Sequence, residues 1–108
     1  VKGESSAKVA ERVRLARQMQ KERFAGDGIF TNAEMDNRRI EKYCILDEDC
    51  RKVMEALIGR MGFSARAYSR ILKVARTIAD LAGCDSIRPE HLQEAAAFRV
   101  LDRVQSGF

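Results

Sequence analysis

An all-α fold, a small bundle of four to five helices, follows from three observations. One proline, no tryptophan and abundant Ala, Leu, Arg, Glu and Lys favour helix over sheet. Apolar residues recur at helical spacing in several windows, most broadly across residues 65–82. No window alternates as a half-buried strand does, and there is no internal repeat or low-complexity tract. At 108 residues the chain suits one domain with a modest core and is too short for two.

The first helix is predicted from about Ser6 to Arg23. Its apolar stripe is thin, made of Val9, Val13, Ala16 and Met19 or Gln20. So narrow a stripe buries little area, and the helix is expected to dock weakly, fray in isolation or lean on a partner surface outside the chain. Gly26 and Gly28 around Asp27 mark a loop to about Thr31. Thr31-Asn32-Ala33-Glu34 has capping-box spacing, with Asp36 as a rival N-cap for a short helix from Asn37 to Cys44, facing inward through Ile40, Tyr43 and Cys44. Asp47 opens a third helix to about Met61, with Val53, Met54, Leu57 and Ile58 buried and Gly62 closing it. The fourth, Ala65 to Ala82, stacks Tyr68, Ile71, Leu72, Ala75, Ile78, Ala79 and Ala82 on one side and is the best core helix of the set. Gly83 ends it in a left-handed conformation. Pro89 suits the first position of the last helix, which runs to about Leu101 through Leu92, Ala95, Ala96 and Phe98.

The formal charge of +4 resides in residues 1–23, where Lys2, Lys8, Arg12, Arg14, Arg17, Lys21 and Arg23 face only Glu4, Glu11 and Glu22. Attraction to nucleic acid would come mainly from this segment, although an exposed basic helix is as often simply a soluble face. Cys44, Cys50 and Cys84 form an odd count without CxxC spacing, and the one histidine, His91, is distant in sequence. They are expected to be reduced thiols, Cys44 packed as a small hydrophobe, with a solvent-facing His91 and no metal site. No apolar run approaches the roughly 18 to 20 residues needed to span a bilayer, and no secretory signal is read, so a soluble cytoplasmic domain without a membrane partner is expected. GxxxxGK[ST] and GxGxxG are both absent, as is any nucleophilic Ser-His-Asp or Cys-His set, so the chain by itself is not expected to be an enzyme.

The fourth helix opens against its own dipole. With Ser64 as N-cap, Arg66 is the second helical residue and shares a face with Arg70 and Lys73. Basic groups beside the positive end of a helix destabilise it by roughly a few tenths of a kcal/mol per contact. Arginines next to free N–H groups make a place for a phosphate, whereas the plain alternative is a solvated polar face.

Ser64-x-Arg66-Ala67, followed by Ile71-Leu72-Lys73-Val74-Ala75-Arg76 and Ile78-Ala79, resembles the sensor 2 helix in the lid of AAA+ ATPases. Ser5-Ser6-Ala7 with Glu11-Arg12-Val13 and Ala16-Arg17, Asn32-Ala33-Glu34-Met35, and Ile87-Arg88-Pro89-Glu90-His91-Leu92 extend the likeness in order over almost the whole chain. Within that superfamily the wording resembles the magnesium chelatase subunit I-like group, and especially its ComM and YifB branch. The resemblance implies that residues 1–23 are a linker helix from an AAA+ core outside this sequence and that residues 24–108 are the C-terminal lid. It places Arg66 at sensor 2, reaching the γ-phosphate of ATP bound with Mg2+ in the full-length protein, with Arg70 and Lys73 as secondary candidates. Its partners would be its own core, neighbouring subunits of a ring and DNA, and its work branch migration. A fragment without that core would bind little or no nucleotide. The competing class is a free-standing helical module using its basic N-terminal helix on nucleic acid, against which stands the want of aromatic platforms and of a helix-turn-helix signature. A purely structural bundle would explain the periodicities but not Arg66.

Overall fold

The computed structural model describes residues 5–106, with side chains for residues 5–98; Lys2 and Glu4 of the N-terminal charge run lie outside them. The described residues form five α-helices and one 3-10 turn, with no strand among them. They are α1 (Ser6–Arg23), the 3-10 turn (Asn32–Glu34), α2 (Asn37–Tyr43), α3 (Glu48–Met61), α4 (Ala65–Leu81) and α5 (Pro89–Ser106).

Side chains supply the starts. Ser5, Asp36, Asp47 and Ser64 accept from the backbone N–H of Lys8, Arg39, Cys50 and Ala67, at 3.2, 3.0, 2.8 and 3.2 Å. Both rivals near residue 31 are used. The Glu34 carboxylate accepts from the Phe30 and Thr31 amides, each at 2.8 Å, to close the 3-10 turn, while Asp36 caps α2. Those bonds to backbone N–H groups hold the Glu34 and Asp36 carboxyls below their ordinary pKa values. At the other end of α4, Gly83 (φ 72°) donates to Asp80 O at 3.0 Å and Cys84 N donates to Ala79 O at 2.8 Å. This is the Schellman pairing, and the left-handed residue it needs is the glycine.

The core gathers around α4, whose most extensive contact is with α5. Ala67, Ile71, Ala75 and Ala79 form one buried i, i+4 row, and Leu72, Arg76 and Asp80 form a second beside it. Ala75 and Ala79 are fully buried, as are Leu92, Ala95 and Ala96 on α5 to within one per cent. Small residues on both helices permit close approach.

Several packing expectations change. Cys50, absent from the predicted face of α3, is wholly buried with Met54 and Leu57, while Val53 and Ile58 are half-buried flanks. Tyr68 and Ile78 are also half-buried, and Ala82 is exposed because it is the C-cap of α4. Phe98 is 54% exposed, since it sits at the margin of the arc defined by His91, Leu92, Ala95 and Ala96. His91 is buried rather than solvent-facing. It occupies the third helical position of α5, and its Nδ1 accepts from the Arg88 backbone N–H at 3.0 Å, the part that Glu or Gln takes in a capping box. The helix itself runs beyond Leu101 to Ser106, and α2 stops at Tyr43 with Cys44 as its C-cap.

Cys44 is packed as a small hydrophobe, and all three cysteines are free. Burial is the first cause that pushes the Cys44 and Cys50 thiols up from 9.0 to about 11. The folded state then keeps protons that the unfolded chain releases, so this contribution to stability is complete below about pH 9 and lost as pH rises from 9 towards 11. Thermal melts should show that loss in the wild type and a shallower one in a Cys44→Ala/Cys50→Ala variant; parallel curves would refute the assignment. Leu72→Ala should destabilise the bundle by about 2 to 5 kcal/mol in urea unfolding, and a midpoint equal to wild type would mean that the α4 face is wrongly oriented.

Candidate functional site

Helix α4 presents a second face opposite its buried rows. Arg66, Ser69, Arg70, Lys73, Val74 and Thr77 line a shallow, open hollow of about 550 Å³, together with Ala33 from the 3-10 turn. The three basic residues singled out from sequence therefore share one site, and none of the residues lining it is acidic.

Their situations differ. Arg66 and Arg70 are exposed and make no hydrogen bond or ion pair with the described residues. Lys73 is half-buried, and its Nζ donates to the Ala33 carbonyl at 3.3 Å. Lys73 is thus partly committed to holding the 3-10 turn, which leaves the two guanidinium groups free for an external anion. Ser64 takes the Ala67 N–H, so the Ala65 and Arg66 N–H groups at the start of the helix have no acceptor within it. Phe63 is buried just before the cap and Tyr68 packs against the core at the fourth helical position, the two places of a hydrophobic staple. Burial of Phe63 and packing of Tyr68 against the core restrict the angle at which α4 begins, and hence where Arg66 stands.

Beneath the hollow lies a buried polar network that periodicity did not reveal. The Asp80 side chain has no exposure, and its carboxylate accepts from Arg23 Nη1 at 2.9 Å and Nη2 at 2.8 Å, and from Asn32 Nδ2 at 2.9 Å. Arg76 Nη2 lies 3.2 Å from the same carboxylate, while the Arg76 guanidinium also donates to the Cys84 and Asp85 carbonyls at 2.8 and 3.0 Å. Asn32 is fully committed. Its Oδ1 accepts from Arg23 at 3.0 Å, its Nδ2 also donates to Thr77 Oγ1 at 3.0 Å, and its backbone N–H donates to Gln20 Oε1 at 3.0 Å. Hydrogen bonding to Asp80 is the first cause that raises the Arg23 pKa. Nothing in the sequence signalled this pairing: Arg23 counted only in the N-terminal charge run, Arg76 stood only within the sensor 2-like stretch, Asp80 was not singled out, and Asn32 entered only through the capping-box spacing and the Asn32-Ala33-Glu34-Met35 stretch.

The network alters the expectation for α1. Every residue from Ser6 to Leu15 is exposed, including Val9 and Val13, but the end of the helix is seated through Ala16, Gln20 and Arg23, with Phe24 buried just beyond. Phe24 meets the Tyr43 ring edge-on at 5.3 Å between centroids.

Residues 3–99 match the family described as magnesium chelatase, subunit ChlI C-terminal. The chain belongs to this family. It is 45% identical to the YifB protein of Salmonella typhimurium over 95% of its length and 42% identical to YifB of Escherichia coli over 96%. Competence protein ComM of Haemophilus influenzae is 43% identical over 95% of the chain. The chain spans about one fifth of the length of these relatives, 20%, 20% and 19% in turn. No solved structure matches it. Among the described residues no cluster of three or more metal-ligating side chains occurs, and no helix is long and apolar enough to cross a membrane.

A magnesium chelatase-type C-terminal domain that kept Arg66 for its fold would lose stability without it. Nothing in the packing of Arg66 supports that. Arg66→Ala should therefore leave the unfolding free energy within about 0.5 kcal/mol of wild type, whereas Ser64→Ala, which removes the cap, should lose about 0.5 to 2 kcal/mol. The reverse order in chemical denaturation would assign Arg66 to the scaffold.

Proposed function

We propose that this chain is the C-terminal sensor 2 lid of a magnesium chelatase-like AAA+ ATPase, with residues 1–23 as the linker helix from the catalytic core and residues 24–108 as the lid. The observation that carries the reading is Arg66: an unpartnered guanidinium on the first turn of α4, beside Arg70, in a hollow without acidic residues. Such a group suits a phosphate because its planar fork makes two charge-assisted hydrogen bonds and keeps its proton at working pH. The Ala65 and Arg66 N–H groups add donors of the same sign. ATP with Mg2+ would be bound by the core of the complete protein, and Arg66 would stabilise charge on the transferring phosphoryl group and report its presence to the lid. Arg70 is the second candidate, and Lys73 the third because of its bond to Ala33.

Family membership supports a ring assembly of such subunits. Likeness to a competence protein favours a cytoplasmic motor acting on DNA, with branch migration as its work, over metal insertion into a porphyrin. The other reading, a separate nucleic-acid module, draws on the exposed basic residues of α1. Of these, Arg14 is engaged with Glu11 at 2.8 Å, and the reading assigns no task to Arg66.

In the complete protein, Arg66→Ala should lower ATP turnover by about a hundredfold or more while the melting temperature stays at the wild-type value. Arg60→Ala, an exposed arginine in the last turn of α3, serves as control and should change turnover little. Wild-type ATP hydrolysis by Arg66→Ala would return the basic face to plain solvation. Loss of DNA binding by a variant with Arg12, Arg17 and Lys21 neutralised, with ATP turnover intact in Arg66→Ala, would favour the separate module.

A further inference from the structure

An amphipathic helix is held on its domain by apolar area, and α1 has little of it. Its buried residues are Ala16 and Gln20, and the Phe24 side chain beyond its end provides a single deep anchor. One anchor of this kind acts as a pivot, fixing where the helix is attached but not the direction in which it points. Direction comes from the polar bonds. Arg23 grips both Asp80 oxygens and Asn32, and Gln20 receives the Asn32 amide, so four separate bonds with preferred angles constrain the last turn of α1. Buried ion pairs are weak sources of stability relative to apolar packing, but they can hold one geometry against others.

The same residues reach the phosphate-facing hollow. Thr77 lines it and accepts from Asn32, and Ala33, next in the chain to Asn32, lines it and accepts from Lys73. The 3-10 turn thus bridges α1 to α4 at two heights of α4. Taking Arg66 as the phosphate sensor, a reading on which this step rests, we propose that Arg23, Asn32 and Asp80 form a positioning clasp that locks the direction of α1 to α4, so that the linker determines where Arg66 is presented.

The lever is long enough to matter. Asp80 and Arg66 lie on one unbroken helix, fourteen residues apart, or about 21 Å at 1.5 Å per residue. A rotation of about 10° at the clasp moves the start of α4 relative to α1 by about 4 Å, several times the misplacement of about 1 Å that costs roughly a hundredfold in rate. The three clasp residues would touch no phosphate themselves and act through Arg66.

Acting through Arg66 has a signature that general destabilisation lacks. In the complete protein, steady-state ATP turnover is measured for wild type, Arg23→Met, Arg66→Ala and the double variant, with amide hydrogen exchange on each. Arg23→Met, which keeps the stem and removes the fork, should lower kcat by about tenfold or more. In the Arg66→Ala background the same change should alter kcat by less than about twofold, because the group being positioned is already gone. Exchange should quicken in residues 16–23 and stay slow in α4 and α5. Equal fold-losses in the two backgrounds, or wild-type turnover in Arg23→Met, would overturn the clasp. Should Arg23→Met fail to fold, Arg23→Lys, which retains the charge but loses the two-pronged grip, carries the same comparison. Failure of the sensor reading is recognisable separately, since Arg66→Ala alone would then turn over ATP like wild type.

Discussion

Asp80 carries a carboxylate with no exposed surface, and such a charge is tolerated in a protein interior only when it is matched by opposite charge and hydrogen-bond donors. Four parts of the chain meet that requirement together: Arg23 at the end of α1, Asn32 in the 3-10 turn, Arg76 one turn earlier on α4, and, through Arg76, the Cys84 and Asp85 carbonyls of the turn into α5. Shifting any one of them would leave a donor or acceptor unsatisfied in a buried place. The arrangement of α1, the 3-10 turn and the α4–α5 connection is therefore tied to one side chain.

Around this point the apolar core sets distance rather than direction. Alanines at 75, 79, 95 and 96 let α4 and α5 come close, and Leu92, Ile71 and Met54 fill the space with side chains that have no orientation to defend. The polar network supplies what such packing lacks, angular preference. Each helix start except that of α5 is capped by a Ser or Asp side chain, and α5 uses His91 in the same sense. Helix boundaries are consequently sharp, and α4 can serve as a rigid rod with its two ends doing different work.

Those two ends are electrostatic opposites in purpose. At its C-terminal end α4 contributes Asp80, neutralised internally by two arginines. Its N-terminal end offers Arg66 and Arg70, which meet no counter-charge among the described residues, beside N–H groups that also seek an acceptor. A fold selected only for stability has no use for the second arrangement.

Much of this was legible in the chain because it depends on local chemistry. Helix caps are set by residues three apart, so Ser64, Asp36, Asp47, Gly62 and Gly83 could be assigned without knowing what lies nearby. The face shared by Arg66, Arg70 and Lys73 follows from helical periodicity alone, and the family resemblance was carried by contiguous words such as Asn32-Ala33-Glu34-Met35. Pairing across the fold was not legible. Arg23 and Asp80 are separated by 57 positions, and in sequence each is an ordinary charged residue on an amphipathic helix; only the folded chain decides that they meet and lose water. His91 was misjudged and Cys50 passed over for a related reason, since burial depends on which neighbouring element covers a helix face and not on the residue type. The sequence by itself determined where the helices start, where α1, α3 and α4 stop and which side of α4 is basic, because those follow from interactions within a few residues. Tertiary structure alone decided how α1 is seated and what Asn32 is for, because a buried hydrogen-bond network exists only once distant segments have excluded water from around it.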